Sequence, residues 1–419
     1  MLRLPKVLTL FTLVAVGLAT QLLAAPLTLD WKTDKEPVSY LPGEPITFTL
    51  RLLDAGKPLA GKTLKWTCSG DDKKVTNGET KSSDTEPLVI KTSLDKPGFV
   101  HVEVRVLNED GTPINDEAGK PLNFQGGAGA SPEKLTSIPE PADYDAFWAA
   151  QKKRLAEVPL KFTLTEVPTT KPGFQVFDVK VDCAGGKPVS GYLVKPVGAA
   201  PKTLPAQIGF MGYGIASVNP MYIDGKITFN INAHGIENGK DPAYYKQLAD
   251  TELKGYAFNK EQNSKPETSY FNGMMLRVMR ALEFLKAQPE WDGKSLYAGG
   301  GSQGGLQALA AAALDPDVTG CGAYKPWCCD LGGVTLERLK GWRPDYTEAL
   351  GYYDSVNFAK RIKCPNVTIS AGLGDYVCPP STIAVLYNNL TVPKQIKYIQ
   401  GATHGFNPPG AQEQTFSSK

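Results

Sequence analysis

Histidine is nearly absent: the chain has 3 in 419 residues, His101, His234 and His404, far apart in sequence. The 7 cysteines include no Cys-x-x-Cys pair. These scarcities remove the ligand spacings of a zinc site, and neither a metal nor a cofactor is expected. Charge imbalance is missing too. Lys and Arg number 45 against 43 Asp and Glu, a formal net charge of +2, with no run of like charge. That leaves no electrostatic case for a nucleic-acid partner. The odd cysteine count leaves at least one free thiol. Cys328 and Cys329 are adjacent, a spacing at which disulfide geometry is rarely met. Buried free thiols are therefore expected for most of Cys68, Cys183, Cys321, Cys328, Cys329, Cys364 and Cys378. A bridge from Cys321 to one of the adjacent pair stays open in an oxidising compartment.

The length fits two domains plus a leader. Met1 to Lys6 is basic, Val7 to Leu23 is apolar, and Ala24-Ala25 follows, the pattern of a secretory signal peptide over residues 1–25. No cysteine follows the run to take a lipid, so the expectation is a secreted or periplasmic protein with no stable membrane association after cleavage. Residues 26–125 read as all-β. Ile46–Leu52, Leu64–Cys68 and Val100–Val106 alternate apolar and polar, with turn signals at Pro42-Gly43, Asp54-Ala55-Gly56 and Asn77-Gly78. Strands at this spacing predict an immunoglobulin-like sandwich. His101 falls on the polar side of its strand and is expected to be solvated. Residues 126–142 read as a linker, with Gly126-Gly127-Ala128-Gly129-Ala130-Ser131-Pro132 as a flexible joint. From 143 to 419 strands and helices alternate, which predicts an α/β domain with a doubly wound, mostly parallel sheet. Asp143 is placed to cap its first helix.

Gly300-Gly301-Ser302-Gln303-Gly304-Gly305 lies between the β-compatible run Ser295–Ala298 and the Ala- and Leu-rich run Leu306–Leu314. A serine flanked by glycines in a strand-to-helix turn is the nucleophile elbow of α/β-hydrolases. Side chains at the flanking positions would collide in so tight a turn. A serine needs a base, and in that fold the chain order is Ser, acid, His. Only His404 follows Ser302, on a small-residue loop after the strand-like Gln395–Ile399. Among the acids between them, Asp375 follows the strand-like Asn366–Ser370 and the turn Gly372-Leu373-Gly374. Asp330, after Trp327-Cys328-Cys329, is the runner-up. An oxyanion hole is expected from two amides. One is that of Tyr213, in the loop Met211-Gly212-Tyr213-Gly214 after the strand-like Ala206–Phe210, and the other is that of Gln303. The long segments Ile236–Asn272 and Leu331–Phe358 carry Tyr244, Tyr245, Tyr256, Tyr270, Trp342, Tyr346, Tyr352 and Tyr353 and are expected to form lids or substrate walls.

These pieces together resemble the acetyl xylan esterase / cephalosporin C deacetylase family, carbohydrate esterase family 7, over roughly residues 132–410. The likeness is carried by Asp143–Trp148, Gly212-Tyr213, Arg280–Leu285 with the elbow, and Gly372–Asp375 with Cys378-Pro379-Pro380-Ser381-Thr382. It implies a serine esterase acting on an acetylated oligosaccharide or small acetyl ester. Ser302, Asp375 and His404 would be the triad, and Tyr213 and Gln303 the oxyanion donors. The chain departs from the family at Met211, where His is frequent, at Asn232-Ala233-His234-Gly235, in place of Arg-Gly, and at Gly405, where Glu is common. Two other readings share some of these features: a prolyl oligopeptidase-type peptidase and a non-catalytic carbohydrate-binding protein. Homo-oligomerisation is left open.

Overall fold

A computed structural model describes residues 27–116 and 118–418. The leader assigned to residues 1–25 lies outside them.

The front of the chain folds into two antiparallel sheets. Strands β1 (Leu27–Thr33), β2 (Ile46–Asp54), β3 (Lys57–Pro58) and β6 (Leu88–Thr92) form one, with β2 pairing the other three. Strands β4 (Thr63–Gly70), β5 (Val75–Lys81), β7 (Gly98–Leu107) and β8 (Asn123–Ala130) form the other, in the order β5-β4-β7-β8. Alternation drives the arrangement. Val100, Val102, Val104 and Val106 of β7 share a core with Phe48, Leu50, Leu52 and Ile90 of the facing sheet. Burying each such side chain stabilises by about 1.5–3 kcal/mol.

Two expectations are corrected here. Residues 126–130 are not a flexible joint: they are the buried half of β8, paired with β7 from Gly98↔Ala130 to Arg105↔Asn123. His101 is not solvated. It is 4% exposed, with its ring against Tyr376 of the second domain. The second face of β7 turns Phe99 and His101 into the interface between the domains, where Phe99 meets Tyr398 at 5.7 Å. The alternation on β7 was read as core against solvent, but its polar side is covered by another domain.

The second domain is built on a mixed sheet of ten strands. They are β9 (Phe162–Val167), β10 (Phe174–Val181), β11 (Val189–Pro196), β12 (Leu204–Phe210), β13 (Ile227–Asn232), β14 (Trp291–Gly301), β15 (Gly320–Tyr324), β16 (Val367–Gly372), β17 (Lys394–Ile399) and β18 (Glu413–Ser418). Their order is 18-17-16-15-14-12-13-11-10-9. The central strands β13, β12, β14, β15, β16 and β17 are parallel, and both flanks are antiparallel. Helices α1 (Tyr144–Ala156), α3 (Tyr270–Lys286), α4 (Gln303–Leu314), α5 (Ser355–Ala359) and α6 (Pro380–Asn389) make one contiguous layer on one face. Helix α2 (Pro242–Asp250) stands in the long segment before α3.

The sheet is not doubly wound. Its other face carries Gln207, Asn230, Tyr297, Thr368, Gln395 and Lys397 around a groove of about 680 Å³. No apolar stripe is offered there for a helix to cover. The crossover between β12 and β13 runs over this face as a loop, with Met221 against Gly209 and the Thr228 hydroxyl donating to the Met221 carbonyl.

Asp143 does occupy the N-cap of α1, but its side chain makes no cap bond and accepts instead from the Tyr352 hydroxyl. All seven cysteines are free, so no bridge joins Cys321 to its neighbours. No helix among the described residues is long and apolar enough to cross a membrane.

Candidate active site

Strand β14 ends at Gly301 and α4 begins at Gln303, so Ser302 alone makes the turn. Its backbone is held at φ 54°, ψ −121°. Such a conformation costs a non-glycine residue about 1–3 kcal/mol and persists only where the surroundings enforce it. They do. The Ser302 amide donates to the Tyr324 carbonyl at 2.9 Å, and the Trp327 amide donates to the Ser302 carbonyl at 3.0 Å. The glycines are steric requirements. A Cβ on Gly304 would lie 2.2 Å from the Phe210 carbonyl oxygen, and one on Gly300 would lie 2.5 Å from Gly304.

The ends of β14, β16 and β17 lie on one edge of the parallel sheet and bring three side chains together. His404 Nε2 is 2.9 Å from Ser302 Oγ, and His404 Nδ1 is 2.9 Å from Asp375 Oδ2. The Asp375 side chain is wholly buried while that of His404 keeps 26% exposure. Asp375 Oδ1 accepts the amides of Val377 at 2.8 Å and Cys378 at 2.9 Å. The carboxylate is thereby fixed with one oxygen left for the imidazole. With Nδ1–H donated to Asp375, Nε2 presents a lone pair to the serine hydroxyl, the arrangement a general base requires.

Cys378 sulfur lies within 4.8 Å of Asp375 and His404 ligand atoms. These are not free metal donors. Asp375 and His404 are committed to each other, and burial pushes the Cys378 thiol up, keeping it protonated. Asp330 is not part of this cluster. It is buried, with Oδ2 accepting from Arg338 Nε at 2.5 Å and its amide donating to Asp354.

Among the described residues the amides of Tyr213 and Gln303 donate to no acceptor. Gln303 is the first residue of α4, where backbone N–H groups lack helical partners and the helix dipole favours an anion. The Tyr213 loop closes against the elbow, a Cβ on Gly212 falling 3.8 Å from the Gly301 carbonyl oxygen. Together they can serve developing negative charge on an oxygen bonded to a carbon under attack by Ser302.

Aromatic rings wall the site. Tyr213 stacks on Tyr256 with centroids 4.1 Å apart at 10°, and meets Trp342 edge-on at 4.7 Å. Phe258 and Trp327 close the cluster, and Trp342 remains 44% exposed. Each long segment thus supplies part of the wall, Tyr256 and Phe258 from one and Trp342 from the other. Tyr353 packs instead on Phe147 and Phe271, and Tyr244 meets Tyr245 on α2. The sequence pattern assigns no site role to Phe258, Trp327 or Lys325. Lys325 is 1% exposed and holds the Thr403 carbonyl and Asn407 Oδ1, steadying the His404 loop. A lysine at a strand end carries no sequence signal of that role.

The family profile for acetyl xylan esterase (AXE1) matches residues 134–418. The acetyl esterase Axe7A of Xylanibacter ruminicola is 30% identical over 340 residues, covering 76% of this chain and 73% of that protein. The acetyl xylan esterase from Paenibacillus sp. R4 is 25% identical with a TM-score of 0.55, over 65% of this chain and 93% of the other. Acetyl xylan esterase 1 from Thermoanaerobacterium sp. JW/SL YS485 shares the fold at 24% identity and a TM-score of 0.55, over 67% of this chain and 93% of the other. The chain belongs to the acetyl xylan esterase family and is a carboxylic ester hydrolase.

Proposed function

We propose that this chain is an exported serine esterase that removes acetyl groups from O-acetylated carbohydrates. The observation that carries the mechanism is the unbroken path from Ser302 Oγ through His404 to the buried Asp375, 2.9 Å at each step. Ser302 Oγ attacks the acetyl carbonyl as His404 Nε2 takes its proton. Asp375 holds the tautomer and stabilises the imidazolium. The Tyr213 and Gln303 amides receive the oxyanion, and the helix dipole of α4 adds to them. The His404 proton passes to the departing sugar oxygen, leaving acetyl-Ser302. Water, deprotonated by His404, then releases acetate.

The substrate class rests on the family and on the exposed Trp342 ring set against the half-buried Tyr213, a flat apolar surface of the kind sugars stack upon. Export rests on the basic, apolar and small-residue pattern of residues 1–25. We read the front domain as an immunoglobulin-like sandwich, on its two four-stranded antiparallel sheets around a shared core. Acetate release from acetylated xylo-oligosaccharides by the purified chain tests the proposal, with aminoacyl-proline anilides as the peptidase control. Turnover of the anilides in preference to the sugars would replace this reading with the peptidase one.

A further inference from the structure

His234 stands after β13, outside the triad, and is buried at 2% exposure. Both ring nitrogens are engaged. Nε2 lies 2.9 Å from the Gly214 carbonyl oxygen and Nδ1 lies 2.6 Å from the Tyr270 hydroxyl. A carbonyl only accepts, so Nε2 carries the proton. Nδ1 is then an acceptor, and Tyr270 donates to it. The chain of bonds continues through the same residue. The Gly214 amide donates to the Tyr256 hydroxyl at 2.8 Å, and that hydroxyl donates to Gln303 Oε1 at 3.1 Å.

The bonds run in one direction, Tyr270 to His234, His234 to Gly214, Gly214 to Tyr256, Tyr256 to Gln303, with the Ala233 carbonyl as a longer second neighbour of the Tyr270 hydroxyl at 3.2 Å. The path begins on α3 and ends on the first residue of α4. Gly214 follows Tyr213, and Gln303 follows Ser302, so the path ties the Tyr213 loop to the first residue of α4. Two further contacts brace it. The Tyr213 hydroxyl donates to the Tyr256 carbonyl at 3.2 Å, and Gln307 Nε2 donates to the Met211 carbonyl at 3.3 Å. Oxyanion donors must be fixed before charge develops, because a donor that reorganises during the reaction loses much of its effect.

We infer that Tyr256 and His234 are positioning residues of the oxyanion hole, setting the Tyr213 amide against the Gln303 amide without touching the acetyl group. The inference rests on the serine esterase reading above. Tyr256 spans the gap between Gly214, the neighbour of Tyr213, and Gln303 with a single oxygen, accepting from the first and donating to the second. A phenylalanine there keeps the ring stacked on Tyr213 and removes only that oxygen.

The test compares wild type, Tyr256→Phe, His234→Gln and His234→Leu with p-nitrophenyl acetate and with a trifluoromethyl ketone. The ketone forms a tetrahedral adduct whose oxyanion occupies the hole. Tyr256→Phe and His234→Leu should lower kcat about 10- to 100-fold with KM nearly unchanged. Affinity for the ketone should fall by a similar factor, while product acetate inhibits as before. His234→Gln, whose amide can still donate to the Gly214 carbonyl, should recover most of the loss. Unchanged kcat and ketone affinity in folded Tyr256→Phe would overturn the inference while leaving the esterase reading intact. So would equal losses in His234→Gln and His234→Leu, the comparison that decides if Tyr256→Phe fails to fold. A wild-type chain inert to both the ester and the ketone would remove the reading on which the inference stands.

Discussion

Gly127 of the front domain and Gln400 of the loop leading to His404 are joined by two hydrogen bonds. The Gly127 amide donates to Gln400 Oε1 at 3.0 Å, and Gln400 Nε2 donates to the Gly127 carbonyl at 2.7 Å. Gln400 is 1% exposed. The front domain is thus docked on the two loops that carry Asp375 and His404. A Cβ on Gly127 would lie 2.7 Å from the Leu373 carbonyl oxygen and 2.4 Å from that of Val100. Both are backbone atoms, so one strand or the acid loop must move. Gly127→Ala should lower kcat at least about 10-fold, since small displacements of catalytic groups are costly. Kinetics on p-nitrophenyl acetate decide it, wild-type kcat in a fully folded variant being the contrary result.

Asp71 makes a second joint between the domains. It is buried and accepts the Phe99 amide at 2.7 Å, the Leu339 amide at 3.0 Å and the Ser381 hydroxyl at 3.1 Å. Asp71→Ala leaves three donors unpaired, those of Phe99 and Ser381 buried and that of Leu339 half-buried, at about 1–3 kcal/mol each. Denaturant unfolding should show a loss of roughly 3 kcal/mol or more. Asp71→Asn retains one acceptor oxygen and should lose less. Equal stability of Asp71→Ala and wild type would mean that water replaces these bonds without cost.

The two histidines outside the triad predict acid lability. Burial holds the His101 imidazole down at about 3 and that of His234 down at about 4, from 6.5. Once unfolded, each takes a proton near pH 6.5. Their contribution to stability is complete above that pH and is lost as pH falls toward 4 and then 3. The slope follows because the unfolded chain binds more protons across that window. The full loss is on the order of 5 kcal/mol for His101 and 3 kcal/mol for His234. His101→Phe, which keeps a ring against Tyr376, should flatten the decline of melting temperature between pH 6.5 and 4. An unaltered slope would show that His101 is already charged in the fold.

Asp375→Asn should remain folded and lose about 10³- to 10⁴-fold in kcat, because an amide NH₂ facing Nδ1 favours the wrong tautomer of His404. Asp330→Asn should leave kcat within about threefold of wild type, since Asp330 meets Arg338 and not His404. Reversal of these two effects would move the acid to Asp330.

Much of the site was legible because its chemistry forces residue types into a fixed order. Only His404 follows Ser302, and Gly300 and Gly304 leave no room for another residue type. What escaped depends on which surfaces meet. Gly126, Gly127 and Gly129 look like a hinge in sequence. In the fold they are flat strand positions: a Cβ on Gly126 would strike Gln400 Oε1 at 2.4 Å, and one on Gly129 the Phe99 ring at 2.7 Å. Alternation placed His101 opposite four valines, yet no period tells solvent from a neighbouring domain. The single helical layer was hidden for a related reason. A strand position such as Tyr297 or Thr368 reads alike whether its face is bare or covered. Phe258 and Trp327 come from distant segments and become a wall only once Tyr213 is set between them.

The central claim is that Ser302 carries the acyl group. Rapid acid quench of the enzyme turning over p-nitrophenyl acetate, followed by peptide mass spectrometry, tests it directly. The account predicts a peptide one acetyl group heavier, with the modification on Ser302, and neither adduct nor turnover in Ser302→Ala. An acetyl group on another residue that forms and decays at the rate of turnover, or undiminished hydrolysis by Ser302→Ala, would contradict it.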